Sequence, residues 1–346
     1  MALPRPRTEA SGWIESPGFD LVFLVFAPLV TLPIMAAIYL QIPALVIIGG
    51  LTLGFAHYSS TLSFYFWDEN RDYLRKRWLA FYAGPIIILA AYLLVIGFHV
   101  PHVIQLGIFF WNTYHVARQN CGILSIYRHR AGVADPKQRD AANSAILSIS
   151  LFMALTNFAT HSSLSHLFAR VSPTFGRLCW FGAGALALFC VVQLAVSLRQ
   201  RIIAGQPLGL AEMLFLGSSL VFFYPYLFMR SSEMATLVML LPHYVQYMTL
   251  VWLLHRRKFG QSTEGAPSFL LRISKSTQRL IPALLAAGLV FYGLRQLTYQ
   301  TNHYIYFEAL YLFVAFEHFY LDGLFWSFKQ PHVRQTIGPF LLRRAA

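Results

Sequence analysis

The chain has 346 residues, of which 57% are hydrophobic and 12% charged, with a mean hydropathy of +0.53. A soluble domain carries about 25% charged residues, so this composition excludes an ordinary soluble protein and predicts a polytopic membrane protein. The formal charge of +13 does not indicate a nucleic-acid partner, because the basic residues sit in short segments between apolar runs rather than on one soluble face.

Residues 1–19 are polar and proline-rich, and are expected to remain as a cytosolic arm rather than to be cleaved as a signal peptide. Apolar runs then recur at about 20–40, 42–67, 78–98, 101–127, 141–160, 178–198, 208–229, 234–254, 279–297 and 302–326. Each is long enough to cross ~30 Å of hydrocarbon as a helix. The predicted fold is an all-α transmembrane bundle of about ten spans, with eight as the alternative. It forms a single domain over 20–326, followed by a basic cytosolic tail at 327–346.

Orientation follows from the basic residues. Twenty-two of the 27 Lys and Arg fall in the terminal segments and alternate loops, against Arg170, Arg177, Arg230 and Arg295 on the other side. The positive-inside rule then places both termini in the cytosol, in what is expected to be a bacterial inner membrane. Residues 161–177 carry apolar positions at helical spacing and are expected to form an interfacial helix, while 255–278 reads as a linker. Gly49–Gly50 and Gly182/Gly184 are expected to permit close helix packing. Cys121, Cys179 and Cys190 form no CxxC, so neither a disulfide framework nor a cysteine zinc site is indicated.

The stretch Phe109–Arg130, FFWNTYHVARQNCGILSIYRHR, stands out because an apolar run there takes up Asn112, His115, Arg118, Gln119 and Asn120. Spacings of three and four residues cluster these side chains on a helix, and each is costly in hydrocarbon without a partner. Three other runs also carry one internal histidine: His57, His243 and His318. All four runs point in the same direction, and each histidine precedes the cytosolic end by a similar distance, so the imidazoles are expected to share one layer. His243 has Gln246 and Tyr247 at i+3 and i+4, and His318 has Asp322 at i+4, whereas Glu317 points about 100° away from it.

This pattern predicts a metal site with His57, His115, His243 and His318 as ligands and Asp322 or Glu317 as a carboxylate ligand. Asn112, Gln119, Gln246 and Tyr247 would orient the rings. Arg118 and Glu317 are the candidate catalytic charges, with Arg118 expected to pair with Glu317 or Asp322. Non-haem iron suits the set, and another transition metal or haem b is the alternative. Interhelical polar clusters without a metal also remain open.

Single histidines scattered over many spans resemble the bacterial membrane dioxygenases that cleave β-carotene and are thought to hold non-haem iron. The resemblance is one of architecture; no local motif of that family is matched, so no residue is carried over. WNTYHVARQNCGILSIY and EHFYLDGLFW look like segments of uncharacterised bacterial membrane proteins. The HxxxH and HxxHH boxes of membrane desaturases are absent. The expected function is a membrane oxygenase or desaturase acting on an apolar small molecule or lipid that enters from surrounding membrane lipids. With no flavin or nucleotide motif in the chain, electrons would come from a redox partner protein, unless the reaction is a cofactor-independent dioxygenation. A proton-coupled transporter and a b-haem electron carrier are the alternatives.

Overall fold

The computed structural model describes residues 12–40, 43–98, 101–133, 136–161, 173–206, 208–259 and 277–342, and every element in them is helical. We label the principal helices α1 (Thr31–Tyr39), α2 (Pro43–Leu62), α3 (Gly84–Gly97), α4 (Pro101–Arg130), α5 (Pro136–His161), α6 (Pro173–Ile203), α7 (Leu210–Val221), α8 (Ser232–Phe259), α9 (Thr277–Gln300) and α10 (Tyr304–Phe325). Four of these, α2, α4, α5 and α6, begin at a proline, whose fixed φ and missing N–H suit the first helical position.

Among the described residues, four helices are long and apolar enough to cross a membrane, and six spans result if each of two bent pairs counts as one. Several long apolar helices therefore mark a membrane protein, with fewer qualifying spans than the ten apolar runs suggest. One reason is that the run at 20–40 is bent within its length, and the run at 78–98 is bent against the helical segment before it. Pro17–Val25 and Ala27–Tyr39 meet at 53°, and Asp68–Lys76 and Leu79–Val95 at 91°. A second reason is that α4, at 30 residues, is diluted by its polar run Asn112–Asn120. Most of the expected interfacial helix at 161–177, and most of the linker at 255–278, lie outside the described residues.

The breaks are satisfied by side chains from other helices. The first bend follows a π-helical turn at Leu21–Val25, and Gln246 of α8 donates to the Leu24 carbonyl at 2.7 Å. The second pair contains another π-helical turn, Leu79–Ala83, where the Tyr320 hydroxyl of α10 donates to the Ala80 carbonyl at 2.9 Å. A Cβ on Gly84 would come within 2.5 Å of that hydroxyl, so only glycine admits the tyrosine there. Of the two predicted glycine pairs, Gly50 lies against Leu237 and Gly184 against Phe152, whereas Gly49 and Gly182 face open space.

Helix α8 is the most enclosed of the candidate spans, and α6, packed on α5, is the most peripheral. Around α8, helices α2, α4 and α10 close a ring in which α2 touches α8 and α10, and α4 touches the same two. One buried carboxylate fixes the basic end of α4: Glu212 Oε1 accepts from Arg128 Nε at 2.8 Å and Arg201 Nη1 at 2.7 Å, joining α4, α6 and α7. Breaking such a buried pair is far more damaging than never having had it, so the Arg128–Glu212–Arg201 group holds α4 in register.

Residues 12–16 close over the same end. Arg130 Nε donates to the Trp13 carbonyl at 2.7 Å, and Glu15 receives Arg256 and Arg257 of α8 at 2.6 Å each. Arg257 also donates to the Phe340 carbonyl at 2.6 Å, so one guanidinium joins the N-terminal arm to the C-terminal turn Gly338–Leu341. Burial raises the Glu15 pKa, but Arg257 and Arg256 outweigh it and hold the carboxyl below its ordinary 4.5. A lowered folded-state pKa means that this contribution is present above 4.5 and is lost as pH falls through the lowered value. Limited proteolysis within residues 12–16 should therefore accelerate below pH 4.5, and Glu15→Gln should show that acceleration already at neutral pH. Equal cleavage of both proteins at neutral pH would contradict the clamp.

Candidate metal centre

The ring α2–α8–α4–α10 gives each helix one inward-facing imidazole: His57, His243, His115 and His318. All four are buried, and one ring nitrogen from each lies within 4.8 Å of those of the others. The ring centroids follow the helix order, with His57–His243 at 4.7 Å, His243–His115 at 5.1 Å, His115–His318 at 5.3 Å and His318–His57 at 4.2 Å. None of the pairs is stacked; each meets edge to face.

The hydrogen-bonding state of these rings is informative. Both nitrogens of His57, both of His243, and Nε2 of His115 and of His318 are buried without a hydrogen-bond partner. A buried polar atom left unmatched costs about 1–3 kcal/mol, and native interiors leave few such atoms. Gathering six of them in one place needs a reason beyond helix packing. Mutual pairing among the rings is not that reason, because no imidazole-to-imidazole hydrogen bond forms among them.

Asp322 and its neighbours fix one ring. His318 Nδ1 lies 2.8 Å from Thr61 Oγ1, and Thr61 donates to Asp322 Oδ1 at 3.2 Å or to the Tyr247 oxygen at 2.7 Å. Tyr247 donates to Asp322 Oδ1 at 2.6 Å and accepts from Trp326 Nε1 at 3.0 Å. With Thr61's single proton given to Asp322 or Tyr247, Nδ1 of His318 would carry its hydrogen and Nε2 would present a lone pair; given to Nδ1 instead, the tautomer reverses. The other carboxylate oxygen, Oδ2, faces Nε2 of His115 at 3.8 Å and Nε2 of His318 at 3.9 Å. Asp322 thus stands beside the cluster with one oxygen anchored and one turned toward it.

The remaining predicted site residues divide. Gln119 Nε2 reaches the His243 carbonyl at 3.5 Å, and Asn112 is buried with Oδ1 unmatched. Gln246 does not orient an imidazole through its amide; it serves the broken segment at Leu24. Glu317 is half-buried and forms no ion pair with any of the four histidines. Arg118 is exposed and pairs with neither Glu317 nor Asp322. Its spacing from His115 puts it one turn along α4 but rotated outward, so the expected salt bridge does not form.

Further contributors are Thr61, a polar neighbour of His57 in the sequence, and Trp326 and Tyr244, which the sequence did not single out. Thr61 and Trp326 anchor the Asp322 network, and Tyr244, packed on His57 at 4.8 Å, joins Tyr58 through a 3.1 Å hydroxyl contact. Thr61 sits four residues after His57, a spacing that places it on the same face; Trp326 carried no signal, since interfacial Trp is common in membrane proteins.

The Thr61 network makes a contrast within one helix. Thr52 is also buried on α2, but its hydroxyl has no partner. Thr61→Val should lower stability by about 1–3 kcal/mol by stranding the polar groups that meet its hydroxyl, whereas Thr52→Val should be neutral or stabilising. Thermal unfolding in detergent reads the difference, and equal effects would contradict the Thr61 network.

No family profile, curated protein or solved structure matches this chain, so the reading of the site rests on its own geometry.

Proposed function

We propose that this chain is a metalloprotein of the bacterial inner membrane, with ten spans and both termini cytosolic. In it His57, His115, His243 and His318 hold a non-haem transition metal, and Asp322 supplies or orients a carboxylate. The observation that carries this reading is the convergence of four buried imidazoles, six of whose eight ring nitrogens have no hydrogen-bond partner. Neutral imidazoles with a carboxylate suit iron, and also manganese, copper or zinc. Thr61 would act as the outer partner that fixes a ligand's tautomer, a common feature of metal-bound histidine. Haem fits poorly, because a macrocycle would have to lie between rings whose centroids are 4.2–5.3 Å apart.

The reaction class we favour is oxygenation or desaturation of an apolar lipid or isoprenoid. A redox-active iron would supply the electron-transfer chemistry when bound. The chain would hold it in a water-poor interior, with electrons delivered by a separate redox protein unless the reaction is a self-contained dioxygenation. A proton-coupled transporter would use the same buried histidines as a relay without a metal, so metal content separates the two readings.

Each His→Ala change in the cluster should lower bound metal, measured by inductively coupled plasma mass spectrometry, more than it lowers folded yield. Asp322→Asn should weaken metal affinity by about 10–100-fold while retaining the fold. Protein that folds and functions with no metal would overturn the proposal.

A further inference from the structure

Arg118 lies on α4, 12 residues before its last residue, Arg130, and 17 after its first, Pro101. At 1.5 Å per residue these are ~18 Å and ~25 Å from the two ends of the helix. The side chain is exposed, and no acid among the described residues pairs with it. A guanidinium so far from either end of a helix in a membrane bundle is costly unless an anion meets it.

The surroundings are specific. A Cβ on Gly122, one turn further along the same face, would touch nothing, so the space beside Arg118 is open. Toward the Pro101 end, Trp111 and Tyr114 are exposed, at 43% and 58%. Trp111 packs on Phe319 at 6.3 Å and on Phe316 at 5.8 Å, and Phe319 in turn covers His115 at 4.6 Å. The outer face of α4 therefore offers one cation, then an aromatic strip, with Phe319 separating that strip from the buried His115.

We propose that this face binds a single-chain amphiphile with an oxyanion head, the head held by Arg118 and the chain lying along Trp111 and Phe316. A guanidinium matches a carboxylate or phosphate through two parallel hydrogen bonds. The apolar chain is recognised by aromatic surface that otherwise faces lipid. As an identification of the substrate, this rests on the metal-centre reading; as a binding site, it stands by itself.

The test is quenching of tryptophan fluorescence by stearate brominated at mid-chain, using the full protein as purified and again after chelation. Trp111 sits seven residues, or ~10 Å, from Arg118 along the helix, within reach of a mid-chain bromine. Saturable quenching is expected, lost in Trp111→Phe, and weakened about tenfold or more in Arg118→Gln. Brominated octadecanol, which lacks the charge, should bind about tenfold more weakly than stearate to the unaltered protein, a comparison that does not depend on any variant folding. Preference for brominated octadecyl phosphate over stearate would assign the head as a phosphate and keep the site. Equal quenching by stearate and octadecanol, or unchanged affinity in Arg118→Gln, would overturn it. Because binding is read with and without metal, a protein that lacks metal but binds stearate sinks only the metal reading, and the converse sinks only this one.

Discussion

Six imidazole nitrogens without hydrogen-bond partners, held in the middle of an apolar bundle, are the constraint on which the rest of this structure depends. Each ring carries one donor and one acceptor that water would otherwise satisfy. Packing alone offers no compensation for removing them from water together, since aromatic carbocycles of similar shape would fill the same space without the penalty. A cation at the point where one nitrogen from each ring comes within 4.8 Å of the others would turn that penalty into ligation.

The scaffold around the rings is built to hold that geometry. Helix α8 bears His243 immediately after Pro242 and is lined along most of its length by buried residues, so its position is determined on every side. Helix α4 is fastened at its basic end by the Glu212 carboxylate shared between Arg128 and Arg201, and is capped by the arm at Trp13. Helices α2, α8 and α10 are tied together by Thr61, Tyr247 and Asp322, a network that reaches Nδ1 of His318. Bends that would strand backbone carbonyls at Leu24 and Ala80 are repaired by Gln246 and Tyr320 from α8 and α10. Two of the four histidine-bearing helices thus brace the irregular segments as well as the site.

Much of this was legible in the sequence, for identifiable reasons. Hydropathy and low charge marked a helical membrane protein, because a spanning segment must be long, apolar and internally hydrogen-bonded. The recurrence of one histidine per run at matched depth pointed to His57, His115, His243 and His318, and those are the residues the fold gathers. What sequence could not convey was rotation about each helix axis. Arg118 and Glu317 lie within one turn of cluster histidines, yet one faces outward and the other forms no ion pair with them. Gln246 follows His243 by three residues, but its partner, Leu24, lies over two hundred positions away in the chain at a break that composition does not encode. Trp326 and Thr61 acquire their roles only through packing between helices.

The most direct measurement is X-ray absorption spectroscopy on protein purified without added metal. The account predicts near-stoichiometric transition metal, with an absorption edge that identifies the element. Its nearest shell should consist of imidazole nitrogens and carboxylate oxygen at ~2.0–2.2 Å. No metal above background in folded protein, or a shell dominated by sulfur or water with no imidazole scattering, would contradict it.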